Sequence, residues 1–289
     1  MTVRAVAPEL APIRPDDVPE VGEFLATHLN PRVSPGDWAA MVVPPWPADA
    51  PNHGYLLRTG GDLVGVHLAF YSTREVHGRV ERFCNLGAWC VLESHRAHGL
   101  RLLRALLRQP GYTFTDLSPS GQVVDVNRRL EFQDIDTATV LVPNLPWPVA
   151  SRGASVTEDP DVLARTLTGA DRVIHADHAA SLAVRHLLLV AGDEHCYVAV
   201  RRDRRKNLPV FASLLHIGNR DLFARHGGLV FRHLLRRGAL ATLVELRLVD
   251  VRPPRSWELT SPRPKMFRST GLAEDDIDYM YSELACVAW

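Results

Sequence analysis

The chain has 289 residues, 46% of them hydrophobic and 23% charged, with 33 basic residues set against 33 acidic ones. This is the composition of a globular protein long enough for two domains, and it excludes a disordered or collagen-like chain. A formal charge of zero argues against a dedicated nucleic-acid binder, whose affinity rests on neutralising phosphates.

In chain order, residues 9–14 read as a first strand. Pro15-Asp16-Asp17 opens a helix with an apolar stripe of Val18, Val21, Phe24, Leu25 and Leu29. A short helix over Pro35–Val42 and a Pro/Trp loop over 44–51 follow. Strands are expected at 54–59 and 63–71, joined by Gly60-Gly61-Asp62, and another at 80–92. A Gly-containing loop leads to a helix over 99–108, with Leu100, Leu103, Leu106 and Leu107 on its apolar side. A strand at 112–117, a helix at 122–130 and a strand at 135–142 complete the first half. Pro143 to Pro148 breaks any regular element, and residues 151–155 are small and polar, so the domain boundary is placed here: 1–145 and 150–289.

The second half offers strands at 187–189, 196–201 and 210–217. A loop, Arg225-His226-Gly227-Gly228, precedes a helix through Leu229, Phe231, Leu234 and Leu235, and a strand follows at 242–249. A shift of 129 residues sets Arg96 on Arg225, Gly99 on Gly228, Leu106 on Leu235, Thr113 on Thr242 and Leu117 on Leu246. A strand-loop-helix-strand unit recurring in register suggests a tandem of two related domains, although Arg and Leu are common enough here for chance to be a rival.

No apolar run reaches the ~18–20 residues of a membrane-spanning helix, and the first residues carry no apolar signal core. No membrane partner is expected. Cys84, Cys90, Cys196 and Cys286 form no Cys-x-x-Cys pair, which fits a reducing cytoplasm.

The most informative segment is Trp89-Cys90-Val91-Leu92-Glu93-Ser94-His95-Arg96-Ala97-His98-Gly99-Leu100, a strand feeding a short loop that opens a helix. A helix start leaves unpaired N–H groups and the positive dipole end. Together they hold phosphate, glycine lets the backbone approach it, and Arg96 adds a charged contact. Strand-loop-helix turns of this kind also occur in proteins that bind nothing.

Here the sequence resembles the GNAT acyltransferase superfamily, whose signature is Gln/Arg-x-x-Gly-x-Gly/Ala between the fourth strand and the third helix. Arg96-Ala97-His98-Gly99-Leu100-Arg101 matches its Arg and first Gly and departs at Arg101. The strand and helix order over residues 9–142 is the family's, and Leu130-Glu131-Phe132 resembles its Leu-Gly-Phe ending. The resemblance implies an α/β (α+β) fold of two GNAT-like domains, each a mixed central sheet flanked by helices. It implies acetyl-CoA or another acyl-CoA held by Cys90, Val91, Leu92, Arg96, Ala97, His98, Gly99, Leu100 and Arg101, with Asn127 where the family carries its tyrosine acid. An amine attacks the thioester carbonyl, and backbone N–H groups at a splay between the fourth and fifth strands polarise it. The family's usual base position falls on Asn85, which cannot serve. Glu81, Cys84 and Asp116 are the catalytic candidates, with His77 a further one; each is also readable as an ordinary surface or core residue.

His175 and His178 share a helix face, but nothing at ligand spacing completes a zinc site, so no metal is expected. The basic run from Arg201 to Lys206 reads as a solvated hairpin tip or as a surface for phosphate, RNA or an acidic protein. Trp38, Trp46, Tyr55, Phe70 and Tyr71 are acceptor-site or core aromatics. The expected function is N-acyl transfer from acyl-CoA to an amine of a small metabolite or amino sugar. The alternatives are a non-catalytic acyl-CoA-binding scaffold or sensor, and a Fem-type transferase with aminoacyl-tRNA as partner.

Overall fold

The computed structural model describes residues 7–146, 153–205 and 208–287. Residues 147–152, where the sequence reading places the domain boundary, lie outside the described residues, as does Lys206 of the basic run. The first half runs β1 (Glu9–Pro12), α1 (Val18–His28), α2 (Pro35–Val42), β2 (Gly54–Thr59), β3 (Asp62–Val76), β4 (Arg79–Val91), α3 (Gly99–Leu107), β5 (Thr113–Asp116), α4 (Gly121–Arg129), β6 (Gln133–Asp134) and β7 (Thr139–Pro143). The second runs β8 (Ala154–Thr157), α5 (Pro160–Thr166), α6 (Gly169–His178), β9 (Val184–Ala191), β10 (Glu194–Arg205), β11 (Leu208–Ile217), α7 (Arg220–Arg236), β12 (Ala241–Glu245), β13 (Trp257–Glu258), β14 (Met266–Arg268) and α8 (Glu283–Cys286).

Local chemistry sets these elements. Ser34 caps α2 by accepting the Asp37 amide at 3.1 Å. Gly60 and Gly61, at φ 61° and 96°, make the tight β2–β3 turn that a side chain would strain. The sequence reading ends β3 at Tyr71, but the strand continues to Val76 and turns through His77 and Gly78, both at positive φ. Its polar outer residues hid that extension. In α3 the buried stripe is Leu102, Leu103 and Leu106, while Leu100 is exposed at the helix start.

Two seven-stranded sheets result, ordered β1-β2-β3-β4-β5-β14-β6 and β8-β9-β10-β11-β12-β7-β13. They correspond strand for strand. Each has one parallel pair, β4/β5 and β11/β12, and these are the only parallel pairings among the described residues. The 129-residue shift carries β5 onto β12 and α3 onto the later turns of α7.

The strand beside each parallel pair comes from the other half. β7 leaves the first half to pair with β12, and β14 returns from the second to pair with β5. The strand expected at 135–142 is β7, which starts only at Thr139 and belongs to the second sheet. The strand expected at 242–249 stops at Glu245 and gives way to a 3₁₀ turn. One apolar cluster joins the halves, holding Val66 and Phe70 of the first sheet with Leu188 and Tyr197 of the second and Tyr279, Met280 and Val287 of the closing segment. Among the described residues no helix is long and apolar enough to cross a membrane.

The loop expected at Arg225 to Gly228 is also corrected. These residues lie inside α7, which starts at Arg220 with Asn219 as its cap. Gly227 is buried against the Phe223 ring, where a Cβ would stand 3.1 Å from ring carbon. The glycine serves packing and does not break the helix.

Candidate active site between the fourth and fifth strands

β4 and β5 run in parallel register from Phe83–Thr113 to Leu86–Asp116, and there the pairing stops while β4 continues to Val91. A bulge marks the divergence. Leu68 faces Gly87, Val66 faces Cys90, and Ala88 takes φ 46° in between. No described strand pairs with the β5 side of β4 beyond Leu86. The gap opens into a cavity of about 680 Å³ lined by Ala88, Trp89, Asp116 and Ser118 from the first half and by Arg201, Arg205 and Lys265 from the second.

One buried carboxyl lines this opening, and a second, behind it, feels its charge. Asp116 lines the cavity at the end of β5, buried but for the cavity side, and accepts the Asn127 amide at 2.8 Å. Burial pushes its pKa up to about 6, against the pull of hydrogen bonds from Asn127 and the Ser118 amide. Glu283, the first residue of α8, is wholly buried. Its Oε1 accepts the Ser118 hydroxyl at 2.8 Å, its Oε2 is buried without a partner, and its amide donates to Asn85 Oδ1 at 2.9 Å. Burial, then the Asp116 charge, pushes its carboxyl up to about 7. Gly87 makes room for it, since a Cβ there would lie 3.0 Å from Glu283 Cβ and from Phe70 Cε2. His67 stands beside the bulge with its ring stacked on Trp89 at 4.8 Å between centroids. Burial drives its pKa down to about 3, so the imidazole is neutral.

Of the three catalytic candidates, only Asp116 lines the cavity. Glu81 is six residues before Gly87 on an extended strand, about 20 Å away at ~3.3 Å per residue, and is paired across from Arg74. Cys84 is buried in the apolar layer with Tyr71, Leu103 and Phe114, where burial raises its thiol pKa far above the usual range. His77 sits exposed at the hairpin tip, bonded to Asp276 at 2.7 Å. Of the other sequence-stated constellations, Trp38, Trp46, Phe70 and Tyr71 are buried core residues. His178 is pinned between the Ile174 and Met280 carbonyls at 2.8 and 2.7 Å.

The segment resembling a phosphate cradle folds as a 3₁₀ turn, Glu93–His98, leading directly into α3. Arg96 and Ala97 are exposed, and Arg96 reaches only Glu93, at 3.8 Å. Gly99 is buried with space for a methyl group, the nearest atom to a Cβ being Val91 Cγ2 at 3.5 Å. The His95 and Gly99 amides are spent on the Leu92 and Arg96 carbonyls. Arg101 donates to the Pro8 carbonyl at 2.6 Å and so holds β1's approach. Cys90 is buried in the core, where burial raises its thiol pKa to about 11. Val91 and Leu92 pack behind the turn, His98 is half-buried and Leu100 exposed. Asn127 is wholly buried and acts on Asp116.

Sequence reasoning missed Glu283 and the inward aspect of the basic run. Glu283 carried a signal: it is the one carboxylate beside the apolar stretch Leu284-Ala285-Cys286-Val287, and such residues are rarely buried without a task. In the basic run, Arg201 and Asp203 are buried and face the cavity instead of forming a solvated tip.

No protein-family model and no curated protein sequence matches the chain. Solved structures do. A GCN5-related N-acetyltransferase from Anabaena variabilis is similar over 90% of this chain and 72% of its own, at 8% identity and TM-score 0.60. A GCN5-related N-acetyltransferase from Kribbella flavida covers 93% of this chain and 72% of its own, at 14% identity and TM-score 0.54. N-myristoyltransferase of Saccharomyces cerevisiae, solved with bound myristoyl-CoA, covers 98% and 85%, at 11% identity and TM-score 0.51. At these identities the likeness is one of architecture, and it is consistent across the three: the chain is built on the fold of the GCN5-related N-acetyltransferases, with two mixed sheets flanked by helices.

Proposed function

We propose that this chain moves an acetyl or other acyl group from acyl-CoA to an amine of a small metabolite or amino sugar, with residues 1–145 as the catalytic half and 150–289 as a second GNAT-like half. The observation that carries the reading is the parting of β4 from β5 beside two buried carboxyls whose pKa values are raised toward neutrality.

The residues present fit an acyl-CoA. The turn before α3 is exposed and carries Arg96, whose guanidinium suits a phosphate although the His95 and Gly99 amides are already bonded within the turn, and the unpaired edge of β4 runs from there toward the carboxyls. Bound there, the cofactor supplies a thioester carbonyl. The N–H groups of β4 beyond Leu86 that face away from β3 would donate toward that carbonyl oxygen. Asp116 would take the proton from the incoming ammonium, freeing the nitrogen lone pair for attack on the carbonyl carbon while the thioester C–S bond breaks and CoA leaves as thiolate, to be protonated to the thiol. Glu283 holds its own proton to a higher pH than Asp116, so near pH 6.5 the pair carries about one negative charge. Asn127 and Ser118 keep the two carboxyls oriented.

The α7 helix is continuous through residues 226–229, so its amides there belong to the helix ladder, and the second half is assigned no cofactor site. Calorimetry with CoA, paired with thiol release from acetyl-CoA over a panel of amines, tests the reading. Binding with turnover supports it, binding without turnover supports the sensor alternative, and absence of CoA binding overturns it.

A further inference from the structure

The second half lends the cavity a charge that acyl transfer itself does not require. Its cations fall into two groups. Lys265 Nζ is matched by Glu245 Oε1 at 2.5 Å, and Arg263 by Asp203 at 2.9 Å. Arg201, Arg204 and Arg205 line the same cavity, and none has a carboxylate within 4 Å among the described residues. Arg201 is only 4% exposed and spends its hydrogen bonds on the Leu284 and Arg202 carbonyls. Arg205 Nε is buried without any partner. Asp203 attracts both Arg201 and Arg205, and Glu283 attracts Arg201, from beyond salt-bridge reach; a guanidinium drawn out of water without a direct partner is costly, and one with an unused N–H more so. A planar fork of such donors matches a carboxylate or a phosphate.

Position adds the second half of the inference. The carbonyl that Arg201 holds belongs to Leu284, the residue after Glu283. The unmatched arginines therefore stand on the wall of the cavity that adjoins the carboxyl pair. The turn expected to hold the cofactor's diphosphate, residues 93–99, is not part of that wall. Resting on the acyl-transfer reading, we infer that the acceptor is a small amine that also bears an acidic group, a carboxylate or a phosphate, which Arg201 and Arg205 of the second half bind while its amine faces Asp116. A β10–β11 hairpin thereby supplies substrate selection to a reaction centre in the other half.

The test compares glycine, phosphoethanolamine, ethanolamine and putrescine as acceptors with acetyl-CoA. One of the two acid-bearing amines is expected to show a KM at least about tenfold below that of ethanolamine, and which one wins tells carboxylate from phosphate. Arg205→Gln is expected to raise that KM about tenfold, with the change in KM exceeding that in kcat and the Kd for CoA unmoved. Preference for ethanolamine or putrescine overturns the inference, as does an Arg205→Gln effect on CoA in place of the acceptor. Arg205 Nε bonds nothing within the described chain, so its replacement removes no internal hydrogen bond. A second measurement needs no turnover: at matched ionic strength, inorganic phosphate or acetate should raise the melting temperature above that in chloride. That protection should vanish in Arg205→Gln and persist in Arg96→Ala. Protection without turnover on any amine keeps the anion subsite and removes acyl transfer; no protection of the wild-type protein by either anion removes the subsite.

Discussion

Asp116→Asn separates the chemistry of the carboxyl from its cost to folding. In the folded chain the Asp116 pKa stands at about 6, against 3.8 for the free side chain. At 1.36 kcal/mol per tenfold, that difference amounts to about 3 kcal/mol. The sign follows from proton binding. Between these two pKa values the folded state holds a proton that the unfolded state releases, so wild-type stability falls as pH rises from about 4 to about 6 and stays lower beyond. An asparagine has no such fall. It loses the Ser118 amide as a donor to one oxygen, about 1 kcal/mol at every pH. Urea unfolding should therefore show Asp116→Asn less stable than wild type by about 1 kcal/mol at pH 3 and more stable by about 2 kcal/mol at pH 8. Meanwhile kcat/KM, read by thiol release, should drop by ~10²–10⁴, the usual yield of a positioned base. In the wild type, the acid limb of kcat/KM should lie near pH 6. A stability difference that does not change with pH, together with kcat/KM within a few-fold of wild type, would refute the account of Asp116 as the buried proton acceptor.

Three further outcomes are expected. Gly87→Ala places a methyl group 3.0 Å from Phe70 and Glu283, and should cost ~1–3 kcal/mol and several degrees of melting temperature while lowering turnover; a wild-type melting curve would show that the closing segment does not press on the bulge. Arg96→Ala should weaken CoA binding in calorimetry by about tenfold and steepen no other property, since the side chain is exposed and touches only Glu93 at 3.8 Å; unchanged affinity removes the turn from the cofactor site. Lys265→Met leaves Glu245 with the Tyr279 hydroxyl alone and should destabilise by about 3 kcal/mol in urea unfolding; a change under 1 kcal/mol would mean that water takes over the role of the ammonium.

Much of the first half is legible in the sequence because its signals are local. Gly60-Gly61 between two alternating runs gives the β2–β3 hairpin, and the Gly99-to-Leu107 leucines give α3. What failed was non-local. β14 is three residues long, Met266-Phe267-Arg268, and its partner β5 lies about 150 positions earlier; no periodicity records such a pairing. β7 reads correctly as a strand, but nothing in Thr139 to Pro143 says that it belongs to the second sheet. Gly227-Gly228 looks like punctuation, yet it lies inside α7, with Gly227 packed on Phe223. Asp116 was within reach as a carboxylate closing a strand, whereas Glu283 reaches it only through the closing segment's path across the first sheet.

The exchange of β7 and β14 makes the two sheets an interlock. A chain broken between Pro143 and Ala154 would still be stitched at both sixth strands, so its fragments should travel together and neither should fold well alone. During synthesis the first sheet waits for residues 266–268, and the carboxyl pair waits for Glu283. A product that ends before Glu283 therefore lacks one member of the carboxyl pair, and one that ends before Met266 also leaves β5 without its outer neighbour.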